Sequence, residues 1–412
     1  MAIVVQKYGG TSVADANKIR RVSQRVAKAV DQGNQVVVVA SARGKQTDQL
    51  IADALELNPN PPEREMDQLI STGEQQTVSL FAMALEHMGY GAISFTGGQI
   101  QMITDSVHTK ARIQSIDANR IHKELEKGRV VLVAGFQGVD KNGNITTLGR
   151  GGSDTSAVAL AAALKADECE IYTDVDGIYS TDPRIFKNAA KLNQISYDEM
   201  LELASLGAGV MHSRAIEFGK KYNVKIHVRS SSGDNAGTII QKEVPQMEDV
   251  LVTGATIQRN MAKFSLVGVD NKPGNAGKIF SHLAKARVIV NDIVQTEISA
   301  AKANLSFTTA VSDLKNARKA LEGIAEEVNC DDIFVREDIA AISVVGVGMR
   351  SHYGVADKMF EALANAAVNI DSITTSEICI SCVVDEDQAE TALKAVCKAF
   401  ELDKPAEQRN KG

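Results

Sequence analysis

The chain has 412 residues, a formal net charge of -7, 44% hydrophobic and 24% charged residues. That length exceeds what one hydrophobic core supports, so about two or three domains are expected, and the ordinary apolar content excludes a disordered chain. An acidic balance without a Lys/Arg run excludes a nucleic-acid surface, no apolar stretch reaches the ~18 residues of a membrane span, and no basic segment leads an apolar one as in a secretory signal. A cytoplasmic protein without nucleic-acid or membrane partners is expected.

Over roughly the first 245 residues, apolar strands alternate with helical periodicity, the pattern of an α/β domain with a largely parallel sheet. Residues 2–6, 35–41, 91–95, 130–134 and 168–173 read as strands, several of them continuous Val/Ile runs suited to burial on both faces. Residues 14–31, 48–57, 65–88 and 117–127 read as helices. An Asn-Gly pair at Asn142 and Gly143 makes 138–148 a β-ribbon. It leads into Gly149-Arg150-Gly151-Gly152-Ser153-Asp154-Thr155, followed by the small-residue helix 156–164. Glycines before a helix N-terminus form the setting of an anion site, although Ser153 or Asp154 also suits a plain N-cap.

Past Gln241 the chain repeats itself. Ser265-Leu266-Val267-Gly268-Val269 matches Ser343-Val344-Val345-Gly346-Val347, and Gly274, Ala276, Lys278 and Phe280 match Gly354, Ala356, Lys358 and Phe360. Each copy predicts strand, loop, helix, strand and a second strand and helix, a ferredoxin-like βαββαβ unit of about 75 residues. The cysteines Cys169, Cys330, Cys379, Cys382 and Cys397 are odd in number and without framework spacing, so reduced thiols are expected. Cys379 and Cys382 fall on a predicted strand, where positions i and i+3 face opposite sides and cannot share a metal.

Three stretches carry the chemistry. Lys7-Tyr8-Gly9-Gly10-Thr11-Ser12 sits at a strand-to-helix turn and suits a polyphosphate, without being a Walker A loop. Ser41, Thr47 and Glu74 lie in further polar, Gly-containing segments, several of them after strands, where open α/β sheets bind ligands. Thr173-Asp174-Val175-Asp176-Gly177-Ile178-Tyr179, continuing to Arg184, offers carboxylates for Mg²⁺, an aromatic edge for a base and a cation for phosphate. In this order and spacing, the Lys7, Gly149 and Thr173 stretches resemble aspartate kinases of the amino acid kinase superfamily. The doubled C-terminal repeat resembles that family's paired ACT domains, so the resemblance covers nearly the whole chain.

The resemblance implies an amino acid kinase domain at 1–245, a first ACT region at 246–339 and a second at 340–412 completed by a strand from about 250–262. It implies phosphorylation of L-aspartate by ATP with Mg²⁺, giving 4-phospho-L-aspartate for lysine, threonine and methionine biosynthesis, with no resident metal site. Lys7 would contact the phosphates with Gly9 and Gly10, and Asp154 would orient Lys7. Arg150 would pair with the substrate α-carboxylate and Glu74 with its ammonium, while Ser41, Thr47 and Ser153 would hydrogen-bond it. Thr173, Asp174, Tyr179 and Arg184 would surround the nucleotide. Lysine, threonine or both would bind at Asp270, Asn275, Ala276, Asn291 and Gln295 in the first copy, or Asn369, Ile370, Ser376 and Glu377 in the second. A homo-oligomer contacting through ACT domains is expected, or an α₂β₂ assembly if a second start at Met247 makes a small subunit.

One departure stands out: the family's second phosphate-binding lysine is Gly209 here, leaving Arg184, Lys220, Lys221 or backbone N–H groups to serve the phosphates. The competing readings are a kinase for glutamate or N-acetylglutamate, and an amino-acid sensor with an inactive kinase-like domain.

Overall fold

The computed structural model describes residues 1–242, 251–350 and 352–409, so Met247 lies outside the described residues. These residues form two compact units: residues 1–179, 191–205 and 209–242 in the first, and residues 180–190, 206–208 and those from 251 onward in the second.

The first unit carries strands β1 (Ile3–Tyr8), β2 (Gln35–Ala40), β3 (Ala92–Phe95), β4 (Ile103–Thr104), β5 (Ile113–Ser115), β6 (Val130–Ala134), β7 (Gln137–Val139), β8 (Ile145–Thr147), β9 (Glu168–Thr173), β10 (Gln194–Ser196), β11 (Ile226–Ser230) and β12 (Thr238–Gln241). Eight of them form one sheet in the order β10-β12-β11-β9-β1-β2-β6-β3, parallel except for β11 against β12. The Val runs of β2 and β6 are buried almost throughout, since helices cover both faces there. Register sets Tyr8 beside Ala40 on one side and Tyr172 on the other. The carboxyl ends of β1, β2 and β9 therefore finish level, and their following loops open at one edge. The short strands β5-β4-β7-β8 make a separate small sheet.

Helices α1 (Ala16–Asp31), α2 (Gln46–Leu57), α3 (Glu63–Ile70), α4 (Thr72–His87), α5 (Asn119–Leu125), α6 (Gly152–Leu164), α7 (Tyr197–Ser205) and α8 (Ser213–Tyr222) complete this unit. Two expectations need correction. The helix read over 65–88 is two helices, α3 and α4, broken at Ser71, where the hydroxyls of Ser71 and Thr72 turn back to Gln68 O and Leu69 O and compete with the backbone ladder. The helix expected from 156 starts at Gly152, so Ser153 and Asp154 lie inside its first turn and Gly151 is the N-cap. Helix α6 is apolar and small on all sides, and ten of its residues from Gly152 to Leu164 are buried, as a helix without a polar face must be.

The second unit contains β13 (Gly254–Asp270), α9 (Asn275–Lys285), β14 (Asn291–Ser299), β15 (Lys302–Ala310), α10 (Leu314–Glu322), β16 (Asp332–Val345), α11 (Val355–Asn365), β17 (Ser372–Thr375), β18 (Cys379–Asp385) and α12 (Ala389–Ala399). Its sheet runs β14-β15-β13-β16-β18-β17. The long β13 and β16 pair antiparallel and each serves both repeat copies: the second half of β13 starts the first copy, and its first half, from Gly254, is the fourth strand of the second. Two separate apolar cores result, one around Phe264, Leu283 and Phe307, the other around Ile342, Leu363 and Val396. Cys379 and Cys382 lie on β18, and none of the five cysteines is in a disulfide. Among the described residues no helix is long and apolar enough to cross a membrane.

Candidate active site

A cavity of about 1200 Å³ opens in the first unit, lined by Lys7, Gly9, Gly10, Ser41, Thr47, Glu74, Arg150, Ser153 and Asp154 among others. Residues far apart in sequence meet here because β1, β2 and α6 all deliver their ends to one edge of the sheet. At its base the Lys7 Nζ stands 2.6 Å from Asp154 Oδ1, with side-chain exposures of 11% and 14%. So little water screens this pair that losing either partner strands a charge, at a cost of about 3–5 kcal/mol. Asp154 also sits at the α6 N-terminus, where the helix dipole favours a carboxylate.

Gly151 makes the tight entry into α6 with φ of 67°, and a Cβ there would overlap the His212 side chain. Glycine satisfies both demands. The preceding Arg150 is exposed and lines the cavity.

Across the cavity, Glu74 in the first turn of α4 accepts a hydrogen bond from Ala42 N–H at 3.0 Å through Oε1. Its Oε2 is buried and has no protein partner. Burial outweighs the opposing Ala42 bond and pushes its pKa up to about 7. A buried acceptor left unpaired costs about 1–3 kcal/mol, a cost that a donor on a ligand removes.

Thr173 ends β9, Asp174 and Tyr179 follow it, and no residue of 173–179 lines that cavity. The loop is tied to the 230–238 segment by Ser231 N–H to Thr173 O, by Ile178 N–H to Thr238 Oγ1 and by Asn235 Nδ2 to Asp176 Oδ2. Tyr179 donates to Asp176 at 2.8 Å. Arg184 belongs to the second unit, where it pairs with Asp182 at 2.7 Å. Lys220 is held by Asp198 at 2.6 Å and Lys221 lies over the Tyr222 ring. Neither lysine lines the cavity. Lys110 and Arg112, which carried no signal of their own in the sequence, do line it, together with His212 and Arg214. A Cβ added at Gly209 would meet nothing within 4 Å.

For magnesium, Asp174 is exposed, and among the described residues no cation pairs with it; a carboxylate of this kind fits a hydrated ion carried by nucleotide phosphates. A convergent His/Glu group among the described residues is Glu168, Glu170 and His227. Its oxygens are already engaged by His227, Lys225, Arg229 and Gln6, so it reads as an ion-pair network.

In the second unit a cavity of about 350 Å³ is lined by Asp270, Asn275, Ala276 and Gln295 of the expected effector residues. Asp270 is engaged by Lys272 and Asn329, and Asn275 Nδ2 donates to Asp270 O. Asn291 does not line it. Asn369, Ser376 and Glu377 are exposed at the corresponding end of the second copy, and Ile370 packs on its core.

A family model described as the amino acid kinase family matches residues 2–230, and one described as an ACT domain matches residues 342–400. The chain is 50% identical to an aspartate kinase of Stutzerimonas stutzeri, over 98% of this chain and 99% of that one. It is similar to the crystal structure of E. coli aspartokinase III in complex with aspartate and ADP, at 25% identity and TM-score 0.81, covering 97% of this chain and all of that one. The same E. coli enzyme in complex with lysine and aspartate matches at 25% identity and TM-score 0.73, over 96% of this chain and 99% of that one.

Proposed function

The chain belongs to the aspartate kinases of the amino acid kinase family, and from that premise we propose how its residues divide the work. The enzyme transfers the γ-phosphoryl group of ATP to the side-chain carboxylate of L-aspartate. A carboxylate oxygen forms the new bond to γ-phosphorus, the bond from γ-phosphorus to the bridging oxygen breaks, and ADP leaves with that electron pair. The nucleophile is already ionised, so no general base is required, and catalysis rests on positioning and charge neutralisation.

Lys7 neutralises charge on the transferred group, with the backbone N–H groups of Gly9 and Gly10, and Asp154 keeps its ammonium in place. Arg150 takes the α-carboxylate in its planar fork. The unpartnered Oε2 of Glu74 accepts from the α-ammonium, and Ser41, Thr47 and Ser153 hydrogen-bond the substrate. Thr173, Asp174 and Tyr179 hold the nucleotide. Magnesium, held by the phosphates and Asp174, would offset phosphate charge. The observation that carries this reading is the buried Lys7–Asp154 pair in one cavity with Arg150 and the orphan oxygen of Glu74.

The repeated unit gives feedback control by lysine, with threonine as a second candidate effector, and both copies are ACT domains. Their common strand order supports this, as does the α9 N-terminus opening on the smaller cavity. The edge strand β14 exposes Ile293, Val294 and Ile298, which supports an assembly of chains through the repeats, as a homo-oligomer or α₂β₂. Five cysteines outside any disulfide suit the cytoplasm.

ADP release measured with aspartate and glutamate side by side, with lysine and threonine titrated separately and together, tests the whole reading. Turnover of glutamate equal to that of aspartate overturns the substrate assignment. Activity and thermal stability indifferent to both effectors overturn the regulation.

A further inference from the structure

Asp67 is fully buried and does not itself line the cavity, although its partners Thr109 and Thr147 do. Its carboxylate on α3 accepts from His108 Nδ1 at 2.8 Å, from Thr109 N–H at 3.1 Å and from Thr147 Oγ1 at 2.5 Å. One acceptor thus joins two separate stretches of chain: the 108–112 segment, and the end of β8 three residues before Arg150. A carboxylate suits this junction because every neighbour presents a donor and it has four lone-pair sites to offer. Taking a carboxylate out of water is costly, and here three donors offset that cost.

A second tie reinforces the first. The Arg214 guanidinium donates to Leu148 O at 2.6 Å and to Ala111 O at 3.0 Å, bridging the same two stretches with its fork. Ala111 N–H donates to Thr147 O at 2.9 Å. Thr109 sits at φ of 63°, a left-handed conformation that a β-branched residue adopts only when its surroundings impose it. Thr109 O lies so close to Gly149 that a Cβ there would approach it to 2.9 Å. Strain at Thr109 and close packing at Gly149 are both held by Asp67 and Arg214.

We propose that Asp67 and Arg214 are positioning residues that lock the 108–112 segment onto the Thr147–Arg150 turn and thereby set where the Arg150 guanidinium stands in the cavity. Thr109, Lys110 and Arg112 form the wall beside that turn. The pair acts on aspartate through Arg150 and leaves the nucleotide loop after β9 untouched. This inference rests on Arg150 being the α-carboxylate ligand.

Steady-state kinetics of the full chain carrying Asp67→Asn, Arg214→Lys, Arg150→Ala and Asp67→Asn combined with Arg150→Ala tests it. Asp67→Asn is expected to raise the aspartate KM about ten- to hundredfold, as sub-ångström misplacement of a binding group does, with the ATP KM within about twofold. Arg214→Lys keeps the charge but loses the fork, so it is not expected to restore the parent value. In the Arg150→Ala background, Asp67→Asn should raise the aspartate KM no further. Equal movement of both KM values, parent kinetics in Asp67→Asn or Arg214→Lys, or an undiminished effect in the double variant overturns the proposal. If Asp67→Asn does not fold, Arg214→Lys and its combination with Arg150→Ala decide by the same criteria. A silent Arg150→Ala instead removes the reading on which the proposal stands.

Discussion

The two halves of this chain use polar residues in opposite ways. In the first unit, charged groups are taken out of water around one cavity: Lys7 against Asp154, Glu74 with one orphan oxygen, and Asp67 fully enclosed. In the second, the two cores are apolar, and the polar residues expected to bind an effector lie outside them, on the Asp270–Asn275 loop and helix start, on β14, and on exposed loops of the second copy. Burying charge is expensive and buried pairs are weak stabilisers, so the first arrangement is selected by chemistry. A regulatory module needs reversible, modest affinity, which polar groups set outside an apolar frame provide.

The sharpest way to break that contrast is Lys7→Ala, expected to lower kcat by roughly 10²–10³-fold while aspartate binding survives. ADP release near the parent rate would return the first unit to a sensing role. Arg150→Ala comes next, with the aspartate KM rising roughly 10- to 100-fold for the loss of about 1.5–3 kcal/mol of charged hydrogen bonding. ATP KM is the control.

Glu74 sharpens the comparison through pH. Its pKa is raised from an ordinary 4.5 to about 7, so between those values the folded chain holds an extra proton and this group's contribution to stability falls as pH rises, levelling off above about 7. In the role proposed for Glu74, the ionised form is the one that would accept the substrate ammonium. Accordingly kcat/KM for aspartate should climb from about pH 6 to about pH 8, and Glu74→Gln should flatten that climb and lower the plateau about tenfold. A parent-like slope in the variant assigns the titration elsewhere.

In the second unit, Gly274 and Gly354 cap α9 and α11 with φ of 96° and 89°. Alanine at either should cost about 1–2 kcal/mol in denaturant unfolding, by similar amounts if the copies are equivalent. Gly209→Lys should have the smallest effect, within about 0.5 kcal/mol of parent stability, because a Cβ there meets open space. A lowered ATP KM in that variant would show that the loop has room for the missing phosphate lysine.

Much of this was legible in the residues. The parallel sheet followed from the Val runs of β2 and β6, and the repeat from matched residues such as Gly274 and Gly354. Gly149 to Thr155 stood out because glycines precede a small-residue helix. The helix break at Ser71 was missed, since periodicity continues through it and only the Ser71 and Thr72 hydroxyls reveal it. Asp67 was missed as well. Its one signal is a carboxylate on the buried face of α3 that it shares with Ile70, a pattern that reads as noise until the residues opposite are known.

By itself the sequence determined the elements, the repeat and the cations and carboxylates available for phosphoryl transfer, because these rest on local periodicity and turn chemistry. Tertiary structure decided which of them meet. Lys7 and Asp154 are 147 positions apart in sequence, and they pair because β1 ends and α6 begins at the same edge of the sheet. Lys220 and Lys221 were plausible phosphate cations by charge alone, yet packing commits them to Asp198 and the Tyr222 ring. Burial, the shifted Glu74 and the Asp67 junction are long-range outcomes of strand order and register, which no local pattern encodes.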